Sequence, residues 1–335
     1  MSISSALYSL GLFIKMNFKS FCILSILLLS VLFSQAQQKN YQNEIGFQTD
    51  NDSYLAQGSD RYYTNGLFIY FRHAIETDTA NQKLFGKTLG FEIGQKMFNP
   101  QSAFIPDAAY VDRPFAGYLY AAGSVQYLFK NESVLKMGVQ LGVTGPAALG
   151  RQAQELVHQI LGFYKPQGWQ YQIRNNIGVN LLGNYDRLFF RHGWFDFFGN
   201  AYADLGTTFT GAGAGLTFRF GKFNPLYHSV STSGLVAKNR LIKEASRREF
   251  FFYLKPALNY TAYDATVQGN LFKQSNDHLE ITGKPEPFVL SQEVGGNLTA
   301  GRWAFNLAAI FRTREVKSMA RAHQWGTATF LYRFN

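Results

Sequence analysis

From residue 44 almost to its end this chain alternates. Ile45, Phe47 and Thr49 share one parity, and Glu44, Gln48 and Asp50 the other. Further on, Leu67, Ile69 and Phe71 oppose Thr64, Gly66, Phe68, Tyr70 and Arg72. A period of two puts such sets on opposite faces of a β-strand. Aromatic residues are as frequent as charged ones, at 16% each, which suits a wall with one face in lipid. After residue 36 no run of about 18 apolar residues occurs, so no transmembrane helix is expected. Strands can still cross a bilayer, but only as a closed barrel in which every backbone group is paired. The expectation is an all-β fold: a closed antiparallel transmembrane β-barrel of about twelve strands.

The first 36 residues read differently. Lys15 and Lys19 precede an apolar run from Phe21 to Phe33, and Ser34-Gln35-Ala36 resembles a cleavage site. This is the pattern of a secretory signal peptide, with Met16 as an alternative start. The single cysteine, Cys22, lies inside it, so residues 37–335 hold none. Disulfide and thiolate chemistry are thereby excluded from the exported part. About 300 residues remain, enough for one large barrel. The net charge of +10 comes without any basic helix or finger motif, which argues against nucleic acid. A basic exported barrel fits better beside the phosphates of lipid headgroups in an outer membrane.

Strands are expected over 44–54, 61–73, around 89–93, and over 117–130, 136–144, 169–191, 194–209, 211–220, 248–262, 287–298, 303–312 and 322–334. A loop is expected at 99–114, and a polar one at 221–247 carrying Lys222, Lys238, Arg240 and Lys243. The glycine run at 211–215 has no helix after it and does not read as a phosphate loop. One stretch breaks the rhythm. After Gly145-Pro146, the residues Leu149, Ala153, Leu156, Val157, Ile160 and Leu161 recur at helical spacing, and Gly162 suits the position past the end. Arg151, Gln154, Glu155 and His158 line the other face. The helix sits in a loop of the barrel and could lie at the membrane interface.

Hydrolase motifs such as G-x-S-x-G and H-E-x-x-H are absent. Three polar groupings remain. Asp50-Asn51-Asp52 ends the first strand, and its oxygens suit a hard cation or a solvated rim turn. Asp60 to Gly66 starts the second strand, where antiparallel pairing brings Thr64 towards Asp52. His158 can take a proton from water and return it to a leaving group, with Glu155 or Gln154 one turn back to orient it. A metal nearby would stabilise a developing oxyanion.

Together these groupings resemble the outer-membrane lipid A 3′-O-deacylase family. The resemblance rests on N-D-S-Y (51–54), D-R-Y-Y-T-N-G (60–66), D-R-P-F-A-G-Y-L-Y (112–120), G-P-A-A-L-G-R-Q-A-Q-E-L-V-H (145–158) and K-P-Q-G-W (165–169). It implies a twelve-stranded barrel with a site in the lumen near the outer rim. It also implies calcium-dependent hydrolysis of an acyl ester of lipid A, the lipid anchor of lipopolysaccharide. Asn51 and Asp52 match the family's metal and active-site pair, Thr64 its threonine, and His158 the histidine that activates water. Two positions depart from one branch of the family. Tyr164 stands where that branch has glutamate, and 101–108 lacks its Lys-Arg pair. The rival readings are a phospholipase on the same barrel and a passive channel or structural barrel.

Overall fold

The computed structural model describes residues 41–55, 60–77, 83–238, 248–272 and 277–335. The leader read over 1–36 lies outside the described residues, as do Arg240 and Lys243. Twelve strands follow one another: β1 (Asn43–Asn51), β2 (Tyr63–Ile75), β3 (Leu84–Phe98), β4 (Ala116–Phe129), β5 (Ser133–Thr144), β6 (Asn176–His192), β7 (Phe195–Gly206), β8 (Phe209–Lys222), β9 (Glu249–Asp264), β10 (Phe288–Ala300), β11 (Trp303–Arg312) and β12 (His323–Phe334). Helix α1 (Gly150–Leu161) lies between β5 and β6, and the short α2 (Ala265–Gln268) follows β9. Each strand pairs antiparallel with its neighbour in sequence, and β1 pairs with β12 from Asn43–Phe334 to Asn51–Gly326. That last ladder closes the barrel and leaves no edge strand.

The alternation sorts the side chains as expected. Ile45, Phe47, Leu67, Ile69, Phe91 and Ile93 point outward and stay exposed, as lipid-facing residues do. Gln48, Asp50, Tyr70, Arg72, Glu92, Lys96 and Lys136 point inward and line a polar lumen of about 800 Å³. Trp194, Phe195 and Phe220 cluster at the end with the short turns, and so do Trp303, Tyr332 and Phe334. They form part of an aromatic girdle. The expected strand boundaries shift in one informative place. The strand expected from Trp169 starts at Asn176, because Trp169–Tyr171 form a 3-10 turn and Trp169 is buried against Phe115.

The loop expected as merely polar at 221–247 is partly built into the barrel. Its described part, 223–238, spans the lumen at the end carrying the chain termini. Leu226 packs with Phe85, Leu128, Val134 and Phe198 from four strands. Leu235 meets Ala304 and Leu331 on the far wall. Gln126 donates to the carbonyl of Thr232 at 2.9 Å. Arg219, fully buried, holds this stopper from β8. Its guanidinium donates to both Asp196 oxygens at 2.9 and 2.7 Å, to Ser229 Oγ at 2.8 Å and to the Asn224 carbonyl at 3.2 Å. Glu249 on β9 accepts from Asn224 N, Val230 N and Ser229 Oγ.

Removing one partner of a buried ion pair leaves the other charge uncompensated, at about 3–5 kcal/mol. Arg219→Ala should therefore loosen the stopper while the ladder stays closed. The expected outcome in planar bilayers is little conductance for the unaltered protein and clear channel openings for the variant.

Candidate functional site

Register decides which side of the wall each polar group occupies. On β1, Asp50 has the inward parity. Its carboxylate accepts from Tyr63 Oη at 2.7 Å and Thr327 Oγ1 at 2.9 Å. Asn51, the next residue, has the outward parity and lies opposite Asn65 of β2. The expected Asp50-Asn51-Asp52 cluster is thus split by the wall, and Asp50 belongs to the lumen. The ladder between β2 and β3 shifts register between Tyr63 and Asn65, so Thr64 is an extra, bulged residue. Asp52 begins a 3-10 turn, Asp52–Leu55, and is buried. Its Oδ2 accepts the Arg61 N–H at 2.7 Å, with Thr64 Oγ1 at 3.4 Å. The expected approach of Thr64 to Asp52 is present.

Helix α1 is laid against the outside of this wall. Gly117 of β4, at outward parity, makes that possible. A Cβ there would sit 3.1 Å from Ala148 Cβ and 3.1 Å from Gly150 N. Gln95, also outward, donates to the Ala148 carbonyl at 2.7 Å. Beyond the helix, the backbone of Gln167 pairs with Ala103 and Ile105 of the 99–115 loop. Gly168 has φ +114, and a Cβ on it would lie 2.6 Å from the Phe115 ring. Trp169 then turns inward, and its indole N–H donates to Gln154 Oε1 at 2.8 Å. From the polar face of α1, Gln154 and His158 are the residues turned to the wall. Gln154 and His158 are each 3% exposed, whereas Leu156 and Ile160 are 56% and 72% exposed. An apolar face turned outward fits a helix whose outer solvent is lipid.

His158 is held from both sides. Nδ1 lies 2.6 Å from the Tyr164 carbonyl, which can only accept, so Nδ1 carries a proton. Nε2 lies 3.1 Å from Asp60 Oδ2. Asp60 also accepts from Tyr164 Oη at 2.5 Å and from Thr64 Oγ1 at 3.3 Å. The expected orienting groups do otherwise. Glu155 pairs with Arg151 on the exposed side, and Gln154 is bound to Trp169. Tyr164 supplies the carbonyl that orients His158, and its hydroxyl secures the carboxylate beside it. Burial, then the hydrogen bond to Asp60, pushes the Tyr164 hydroxyl up, so it stays a donor. Burial also raises the Asp52 carboxyl to about 7; the nearby Asp60 adds to this, and the Arg61 N–H works against it.

Asn51, Asp52, Thr64 and His158 thus line one cavity of about 250 Å³, together with Asp60, Asn65, Met97, Gln154 and Tyr164. The cavity lies between the outer face of the wall and α1. The expected position inside the lumen is therefore corrected: the lumen has its own lining, which includes none of those four. Parity carries Asn51 outward, the bulge and the 3-10 turn place Thr64 and Asp52 beside it, and α1 brings His158. Three participants escaped the sequence reading. Asp60 and Asn65 were visible only as members of the D-R-Y-Y-T-N-G run, and Trp169 only as the end of K-P-Q-G-W and the start of an expected strand. Among the described residues no three His, Cys, Asp or Glu side chains form a metal cluster. The oxygen donors nearest to that role are Asn51, Asp52 and Asn65. The Asn65 Oδ1 is buried without a hydrogen-bond partner. No lysine or arginine lines the cavity among the described residues.

A closed barrel with a lipid-facing belt defines an integral outer-membrane protein, and the histidine-lined polar cavity on its outer wall is its candidate site. The profile of the outer membrane protein LpxR family matches residues 21–334, and the chain belongs to that family. Among solved structures, LpxR from Salmonella typhimurium superposes with a TM-score of 0.71 at 21% identity, covering 87% of this chain and 100% of that one. The β-domain of the Bordetella autotransporter BrkA follows at 0.44 and 11%, covering 88% and 99%. The first likeness supports the fold. A search of curated proteins finds no match.

The contact at Gly117 is the simplest to break. Gly117→Val should push α1 off the wall and leave the ladder intact. Limited proteolysis should then cut within 145–175, while heat-dependent gel mobility still reports a closed barrel.

Proposed function

We propose that this protein is an outer-membrane esterase that removes an O-linked acyl chain from lipid A. The observation that carries the reading is the setting of His158. One nitrogen is fixed by a backbone carbonyl, and the other lies beside a carboxylate, in a cavity between the barrel wall and α1. Membership of the LpxR family supports the substrate class.

The residues allow a water-mediated hydrolysis. His158 Nε2 takes a proton from a water in the cavity as its oxygen adds to the ester carbon. Asp60, 3.1 Å away, stabilises the imidazolium that forms. When the tetrahedral intermediate collapses, the ester C–O bond breaks and the imidazolium returns its proton to the sugar-side alkoxide. Thr64, bonded to Asp52 and Asp60, keeps the two carboxylates in place and positions water. Met97, Val157 and Phe163 give the acyl chain an apolar lining. The all-oxygen set of Asn51, Asp52 and the unpartnered Asn65 Oδ1 suits calcium as a resident cofactor. When bound, calcium would supply positive charge to the oxygen that develops at the ester carbonyl.

Purified protein in detergent should release fatty acid from lipid A in the presence of calcium. His158→Ala should lower kcat by about 10²–10⁴, the contribution typical of a general base. Asp52→Ala and Asn65→Ala should both weaken calcium binding in titration calorimetry. Mass spectrometry should locate the loss on lipid A; loss from glycerophospholipids instead would make the protein a phospholipase. Full activity in His158→Ala would remove the proposed base.

A further inference from the structure

The proposed chemistry leaves one buried group in the cavity unused. Gln154 is 3% exposed, and its Oε1 accepts the Trp169 indole N–H at 2.8 Å. An indole N–H can only donate, so this bond fixes which end of the amide is oxygen. The NH₂ end is therefore turned away from Trp169, and Gln154 lines the cavity. There Nε2 is buried without any hydrogen-bond partner. Burying an unpaired amide donor is costly, and in a cavity a bound ligand can supply the missing acceptor. Other polar atoms of the cavity are largely acceptors: the carboxylates of Asp52 and Asp60 and the free oxygen of Asn65. Gln154 lies one helical turn before His158, on the same face of α1.

We infer that Gln154 Nε2 donates a hydrogen bond to the carbonyl oxygen of the scissile ester, which makes Gln154 a further catalytic residue. The inference rests on the esterase reading above. As water adds to the carbonyl carbon, the π electrons move onto that oxygen, and the proton lost by water goes to His158. The fixed N–H of Gln154 then faces an oxyanion rather than a carbonyl. When the intermediate collapses, those electrons re-form the C=O bond as the alkoxide leaves. A donor locked by a neighbouring indole needs no reorganisation during this step. Trp169 acts as a positioning residue, because its hydrogen bond holds the amide in the productive sense.

The test uses the full-length barrel in detergent with an ester substrate, a phosphonate analogue that mimics the tetrahedral intermediate, and an ether analogue that lacks the carbonyl. Gln154→Met should lower kcat by about 10²–10³ with KM nearly unchanged, as for loss of one oxyanion donor. Its affinity for the phosphonate should fall by a similar factor, and its affinity for the ether should not change. Gln154→Glu keeps the acceptor for Trp169 and puts a carboxylate oxygen where the donor was, so it should show the same pattern with a loss at least as large, even if methionine disturbs α1. Trp169→Phe should give a smaller loss of the same kind. Wild-type kcat and phosphonate affinity in Gln154→Glu would overturn the inference, with His158→Ala inactive alongside it. A parent protein that neither cleaves the ester nor binds the phosphonate would instead overturn the esterase reading itself, and this inference with it.

Discussion

A strand inside a bilayer has no water to satisfy its backbone, so β1 and β12 must pair along their length. Once that ladder is closed, every residue on the wall has a fixed side, because the side-chain period is two. The consequence is sharpest at residues 50 and 51. Asp50 enters a hydrogen-bonded network of the lumen, and Asn51, one residue later, faces the helix outside. A register slip of one residue would exchange them. The bulge at Thr64 is the local device that departs from strict alternation, and it brings a hydroxyl to Asp52 and Asp60 together.

The runs 112–120, 145–158 and 165–169, separate in the chain, are parts of one clamp. Asp112 accepts from Tyr62 Oη at 2.7 Å and from Gln101 N at 2.8 Å, which fixes the start of the 99–115 loop. Five residues on, Gly117 clears space for the start of α1. The run Lys165–Trp169 then pairs with that loop, turns at Gly168 and sends Trp169 back to Gln154. No single contact here is large. Their common effect is to hold a helix, with Gln154 and His158 inward, against a wall that is otherwise apolar on its outer face.

Much of this was legible in the sequence. Alternation revealed the strands, and helical spacing together with Gly162 located α1 and its end; Gly162 does adopt a left-handed conformation. Pairing logic also brought Thr64 to Asp52. The side of the wall was not legible, because parity near strand ends depends on a bulge and a 3-10 turn that no periodicity announces. Nor was the orientation of α1, since a hydrophobic stripe does not say whether it meets a protein core or lipid. Gln154 was matched to His158 by helical spacing, yet its partner is Trp169, beyond the helix and out of reach of any i, i+4 rule. The departure at Tyr164 also has a physical answer: Asp60 places a carboxylate beside His158, and the tyrosine hydroxyl steadies it.

The stopper has a bearing on the cell as well as on the fold. Segment 223–238 crosses the lumen from wall to wall and is fastened by the buried Arg219–Asp196 pair. A water-filled barrel of this size would add a leak with every copy inserted. Here the interior serves as ballast for the wall, and on the proposed reading the cavity is reached from the side, through the leaflet. On that reading copy number in the outer membrane could rise without eroding its barrier to small solutes, and encounters would depend on the two-dimensional density of lipid around the barrel rather than on anything dissolved.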